Sequence, residues 1–520
     1  MSSTAKKAAE VGFGILVSRI LGVIREQVFA FFLGAGRFSD AFLVAFRIPN
    51  LLRDLFAEGA LTAGFVPVFS KALVSESKDH AFRFASNVIN IVFVILTPLV
   101  LLGIIFSPLV VKFIAPGFTI EPDKFLLTSK LLKILMPFIL FQSFAAILMG
   151  SLNSMHSYRV PSLASAVFNA VNILAGFFIY LFGKDQKTAV FIWTWGALLG
   201  GLGQFLFQVP SFLTHGFKWS FIISFSDQHV KKFLSLVAPA IIGLAATQIN
   251  ILVNTMLASS LEEGSVSWLN YSFRLIMLPI GIFGVAIGTV SGVQSAHAAA
   301  SKDIKKLIMD LSSSLRLNLF FSISATSAFI AVGTLVISVL FEHGRFTSFD
   351  TKATYDALLF MSVGLFAYSS VKVIVPVFYA LENSKIPALS SVMAVVANLI
   401  VSLSTWKILK FRGLALGTSV AAIVNFFVLV VVFRKKYGVI FDKKTIIFLL
   451  KTIFCSILLA AVSFLIQKTS IYNFLYLKEK LGRIILLFVI VPFGIIFFFL
   501  LSFIMGIEES KLFILRLKKR

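Results

Sequence analysis

Two stretches of the chain place permanent charge where hydrocarbon is expected. "GFGILVSRILGVIREQVFAFFLG" has the length and apolarity of a membrane-spanning helix, yet it carries Arg19, Arg25 and Glu26. The apolar stretch that follows holds Asp40, Arg47, Arg53, Asp54 and Glu58. A charge at the bilayer centre costs roughly 2.5–3.5 kcal/mol even on lenient insertion scales, so charges kept there usually face an interior and mark a pathway. On a helix Asp40, Arg47, Asp54 and Glu58 recur at intervals of seven, seven and four residues and share a face, with Pro49 disturbing the phase. Arg19 and Glu26 are likewise seven apart, and Gly22 lets that helix bend. Arg274 lies in "NYSFRLIMLPIGIFGVAIGTV", a span with no acid of its own.

Two chemistries compete for these residues. The charges either pair with one another and pin helices together, or the arginines hold an anion. For Asp40, Arg47, Asp54 and Glu58 the two readings stand level. For Arg19, Arg25, Arg53 and Arg274 the nearby acids are too few, and the anion reading leads. A guanidinium stays charged and grips phosphate oxygens two at a time. Because the outer surface is almost wholly apolar, the anion expected is a phosphate-headed lipid.

The elements that must carry these residues follow from composition. The chain has 520 residues, 58% of them hydrophobic and 13% charged, against about 25% charged in soluble domains. It reads as an all-α polytopic membrane protein with about fourteen spans. Their limits fall near 9–33, 38–70, 84–111, 126–150, 160–182, 188–212, 233–259, 265–293, 307–341, 353–380, 386–406, 413–433, 446–467 and 483–505. The net charge of +24 does not point to nucleic acid, because the positives sit in short loops and not in one basic groove. With cytoplasmic termini, the loops on that side hold about 23 Lys and Arg against about 12 opposite, the bias that orients membrane proteins.

The chain also repeats itself. "VPSLASAVFNAVN" (160–172) matches "IPALSSVMAVVAN" (386–398) at an offset of 226, and "AFR" (45–47) matches "SFR" (272–274) at 227. Lys6-Lys7 and Lys231-Lys232 precede the first and seventh spans at an offset of 225. Six spans per period predict two parallel lobes with a site between them, Arg47 and Arg274 being counterparts. The expected division is an N-lobe over 1–215, an interfacial linker, read as a helix, over 216–232, a C-lobe over 233–440, and a C-terminal pair with a basic tail over 441–520.

Enzyme chemistry finds little footing. No HExxH, P-loop or nucleophile elbow occurs. The six histidines fall near loops without ligand spacing, and Cys455, in "IFCSILLAAVSFLI", reads as a small core residue. Lys372, alone in the tenth span, reads equally as a cavity charge or a snorkelling lysine. Neither a metal nor a cofactor is implied.

"SRILGVIRE", "LGAGRFSDAFLVAFRIPNLLRDLFAEGALTAGFVPVF" and "NYSFRLIMLPIGIFGVAIGTV" resemble the signature segments of the MurJ/MviN family over nearly the whole chain. That family comprises bacterial lipid II flippases of the multidrug/oligosaccharidyl-lipid/polysaccharide exporter superfamily. The resemblance implies two six-helix lobes, two C-terminal helices forming a groove for the lipid tail, and an inner-membrane location. It implies that Arg19, Arg25, Arg53 and Arg274 hold the pyrophosphate of an undecaprenyl-linked disaccharide-pentapeptide. Glu26, Asp40, Arg47, Asn50 and Glu58 would support or gate that site. Lipid II, membrane lipids and cell-wall synthesis proteins are the implied partners. Glu26 stands where relatives often have Asp, while Asn254 and Ser402 stand where some carry acids associated with sodium. The rival readings are a flippase for another polyprenyl-pyrophosphate oligosaccharide and a multidrug or cation antiporter of the same superfamily.

Overall fold

A computed structural model describes residues 3–56, 62–477 and 479–511. Among them every regular element is a helix. The chain forms two compact units: Met1–Ser267 with Gly344–Phe346, and Trp268–His343 with Thr347–Arg520.

The first unit contains α1 (Ser3–Leu33), α2 (Arg37–Arg53), α3 (Thr62–Ser75), α4 (Lys78–Ile105), α5 (Ser107–Ile114) and α6 (Pro122–Leu135). It continues with α7 (Phe138–Ser154), α8 (Arg159–Phe182), α9 (Gln186–Leu206), α10 (Val209–Thr214) and α11 (Gln228–Ser259). Polar caps start the helices where the sequence leaves an apolar run: Ser77, Asp185 and Asp227 each accept a backbone N–H of the first turn. The bond from the Thr188 amide holds Asp185 below the usual carboxylate range. Phenylalanines fill the core, with Phe65, Phe69, Phe82, Phe84 and Phe212 stacked or edge-on between α3, α4 and α10.

Helix α12 (Ser265–Pro279) starts in the first unit and enters the second at Trp268; the second unit goes on with a π-helical stretch (Ile280–Val285), then α13 (Ala286–Ala300), α14 (Ile304–Phe341), α15 (Ser348–Ser362) and α16 (Leu365–Ala380). It closes with α17 (Lys385–Leu409), α18 (Phe411–Lys436), α19 (Lys443–Gln467), α20 (Ser470–Leu477) and α21 (Glu479–Ile504). The helices of the C-terminal pair are tied to each other at one end and to the end of α14 at the other. Lys451 of α19 donates to the Met505 carbonyl just past α21 at 2.8 Å. Arg483 of α21 bonds Glu342 at 2.7 Å and lies 4.7 Å over the Tyr476 ring.

Ten helical segments in the described residues are long and apolar enough to cross a membrane, eleven if the bent pair α15–α16 is one span. The expected spans outside that set are 9–33, 38–70 and 233–259. The first is the 31-residue α1, long enough at 1.5 Å per residue but carrying Arg19, Arg25 and Glu26. The second is divided between α2 and α3.

The linker departs from expectation. Residues 217–224 are not helical but run in an irregular strap. Buried Asn87 and Asn90 of α4 dictate that path: Asn87 exchanges hydrogen bonds with Ser224 N and O, and Asn90 donates to the carbonyls of Ser220 and Ile222. Side-chain amides satisfy the strap's backbone, which a helix would otherwise satisfy itself.

The repeat is visible inside each unit. In the first, α8 packs on α9 with Asn172 buried against Gly200; in the second, α17 packs on α18 with Asn398 buried against Gly417. Asn172 and Asn398 are the paired asparagines of the two matching segments. The glycine run of α12–α13 has another use. Gly284, Gly288 and Gly292 let that strand of helix approach α16, and a methyl on Gly288 would lie 2.2 Å from the Lys372 carbonyl oxygen. Backbone cannot yield there. Gly288→Leu is expected to cost about 1–3 kcal/mol or more of stability, read as a lowered Tm of the detergent-solubilised protein against Gly12→Ala, where the space is open.

Candidate functional site

The helix α1 is placed by α8. Asn169 of α8 donates to the Ser18 carbonyl at 3.0 Å, and methyls on Gly14 or Gly176 would meet Ser162 Oγ at 2.3 Å or Val28 Cγ1 at 2.2 Å. That packing fixes the rotation of the charged turns. Arg25 is mostly buried, bonded to the adjacent Glu26 carboxylate, and its guanidinium lies 5.3 Å over the Phe168 ring of α8. Arg19, one and a half turns earlier, is exposed on the unit's surface.

On α2, Arg53 binds one oxygen of Asp54 through both Nε (3.2 Å) and an η nitrogen (2.8 Å). Gln248 of α11 donates to the other oxygen at 3.2 Å. Two arginines that the sequence reading assigned to an anion therefore also have a carboxylate neighbour. A guanidinium offers five N–H donors in a fixed fork. Each acid braces its arginine. Arg47 and Asn50 are half-buried on the same helix. Glu58 lies outside the described residues.

Asp40 goes elsewhere. It does not join the Arg47–Asp54 row but is buried at 2% exposure, where Lys124 of α6, itself 3% exposed, approaches to 3.5 Å. Lys124 also sits 4.3 Å over the Phe118 ring. Asp40 further accepts from Gly264 N (2.8 Å), Ser267 N (3.0 Å) and Ser267 Oγ (2.7 Å). A side chain of α2 thus caps the start of α12. Lys124 was missed in the sequence because it looked like an ordinary loop charge. Ser267 had a signal: it is Asp40 plus the repeat offset of 227.

The same relation recurs around this end of the unit. Gly36 lies beside Glu263, again its counterpart at 227. A methyl on Gly117 would meet the Ser259 carbonyl oxygen at 2.3 Å, and one on Gly344 the Phe31 carbonyl oxygen at 2.2 Å. Gly117 and Gly344 are 227 apart, and each presses on the C-terminal end of the helix that begins the other repeat, α11 or α1. Gly344 also has φ +64, a conformation that favours glycine.

In the second unit α12 is locked by Trp268 Nε1 to Asp350 (2.9 Å) and Ser272 Oγ to the Thr354 carbonyl (2.7 Å) of α15. Tyr271, Ser272, Leu275 and Ile276 face inward, which leaves Arg274 exposed. Ser402 donates to Asn398 Oδ1 at 3.0 Å, within the α17–α18 contact. Lys372 is exposed on α16.

Comparison with known proteins decides the family. Residues 29–483 match the family described as "Lipid II flippase MurJ". The chain belongs to the MurJ family. A "Probable lipid II flippase MurJ" of Buchnera aphidicola subsp. Acyrthosiphon pisum is 31% identical over 518 residues, 98% of each chain. The solved structure "Lipid II flippase MurJ, inward closed conformation" superposes with a TM-score of 0.79 at 28% identity, over 95% of this chain and 98% of that one. An inward-facing multidrug resistance MATE transporter of the MOP superfamily matches at TM-score 0.68 and 14% identity, over 79% of this chain and 94% of that one. That likeness concerns the fold alone. This MurJ-family chain is accordingly a multi-pass membrane protein whose regular elements, among the described residues, are all helices.

Proposed function

We propose that the chain flips lipid II, the undecaprenyl-pyrophosphate disaccharide-pentapeptide, from the cytoplasmic to the outer leaflet by alternating access. Family membership along most of the chain carries this reading. The arginines support it: Arg25 and Arg53 are oriented by Glu26 and Asp54, while Arg19 and Arg274 are exposed. Together they hold the pyrophosphate. The protein resides in the inner membrane with cytoplasmic termini. Its lobes follow the sequence repeat, 1–215 and 233–440, joined by the linker at 216–232, and α19 and α21 line the tail groove within 441–520. It remains a transporter with no catalytic residue, working beside cell-wall synthesis proteins.

With that orientation the Asp40 cap and the paired glycines stand at the outer end of the first unit. They form the latch that keeps this end shut while the arginines load from inside. Opening then requires Asp40 to release the start of α12 and Lys124 to lose its acid.

The driving force follows from charge. The pyrophosphate carries at least two negative charges, and moving them out of a negative interior through the full potential gains about 2.3 kcal/mol per charge per 100 mV, roughly 4–5 kcal/mol in all. The arginines partly neutralise the head, so this is an upper bound. Asn254 and Ser402 replace acids that a sodium site would use. Transport is expected to fall when the potential is collapsed and to persist when sodium is removed at constant potential. Vesicles in which lipid II exposure is followed while the two are varied separately test this. Loss of exposure on sodium removal alone refutes it.

A further inference from the structure

Away from the arginines, the first unit holds an apolar cavity of about 820 Å³ between α2, α4, α5 and α6. That is within the range of roughly 300–1,000 Å³ typical of small-molecule sites. Its floor is buried Ile114 and Met136, and one wall is Ile48 and Leu52 of α2. Leu102, Phe106, Leu109 and Phe113 at its mouth are 51–67% exposed. Every lining residue is apolar. Such a lining offers water no hydrogen-bond partner. The mouth belongs to helices of the membrane-spanning first unit, where the surrounding solvent is lipid hydrocarbon.

We propose that this cavity is a binding site for one acyl chain of a membrane phospholipid, which enters past Phe106 and Phe113 and ends against α2. No lining residue is polar, so the lining itself selects no headgroup, and the abundant bilayer lipid is the occupant, not the cargo's tail. The chain would brace Ile48 and Leu52, the neighbours in sequence of Arg47 and Arg53, and so couple bilayer composition to the posture of the helix that carries them. The proposal is independent of which cargo the protein moves.

The test uses the full-length protein in vesicles containing phosphatidylethanolamine with a diazirine at the acyl terminus. Photolabel is expected on peptides covering 48–52 and 99–114. Leu99→Trp and Val110→Trp, which fill the cavity, should each lower that label by about tenfold. Leu101→Trp, on the exposed face outside the lining, should leave it unchanged. Label found only elsewhere in the wild-type protein overturns the proposal whatever the variants do. Label that survives both filling substitutions overturns it too. Displacement by undecaprenyl phosphate, but not by unlabelled phospholipid, would assign the cavity to a polyprenyl tail and overturn the phospholipid assignment.

Discussion

Arg25→Ala, Arg53→Ala and Arg274→Ala are each expected to abolish rescue of flippase-depleted cells while the protein still reaches the membrane. Truncating one partner of a desolvated, hydrogen-bonded charge pair costs roughly 2–5 kcal/mol, about thirty- to a few-thousand-fold in affinity. The alanine variants of Arg25 and Arg53 also strand Glu26 and Asp54, the acids that now brace them. A bare carboxylate left near the pyrophosphate would repel it, so these two variants should be the worst. Arg→Lys should recover little, because an ammonium is a point charge and cannot reproduce the planar fork. Arg25→Ala with Glu26→Gln separates the two effects: the double variant should still fail if the cation itself binds cargo. Normal growth of all three alanine variants at wild-type protein levels would place the site elsewhere.

Asp40→Ala is the second large effect. It leaves Lys124 charged and nearly sealed from solvent, and orphans the Gly264 and Ser267 amides. Removing one member of a buried ion pair costs about 3–5 kcal/mol. The expected result is loss of function with a lowered Tm. Adding Lys124→Met removes the stranded charge and should restore much of the Tm without restoring function, because α12 still lacks its cap. A cysteine at Ala41, 0% exposed beside Asp40, reports the latch directly in a Cys455→Ala background. An impermeant maleimide added outside should label it slowly in the parent and at least several-fold faster in the double variant. Equal labelling would mean that Asp40 only stabilises the fold.

Much of this was legible in the chain. Charges inside apolar runs mark α1, α2 and α12 because hydrocarbon tolerates few of them, and the repeat shows itself in Asn172 and Asn398, whose equivalent packing the structure displays. What stayed hidden is non-local. Nothing in "EPDKFLL" says that Lys124 reaches back 84 residues to Asp40. Asn87 and Asn90 look like mid-span polar residues until the strap they hold is seen. The helix expected there failed because local apolarity cannot reveal a distant side chain offering the backbone a different partner. The Asp54–Arg53 contact was also undervalued: adjacent residues on a helix point apart, but long side chains can fold back to meet. Glycines 117 and 344 are silent in a single sequence, since only the opposing carbonyl explains why no side chain fits.

The central claim is that the arginines bind a polyprenyl pyrophosphate, and native mass spectrometry of the purified protein with a panel of polyprenyl lipids tests it most directly. Lipid II and undecaprenyl pyrophosphate should be retained well above undecaprenol, and Arg53→Ala and Arg274→Ala should each erase that preference while leaving ordinary phospholipid adducts unchanged. Equal retention of the uncharged alcohol, or an unchanged preference in both variants, would contradict the account.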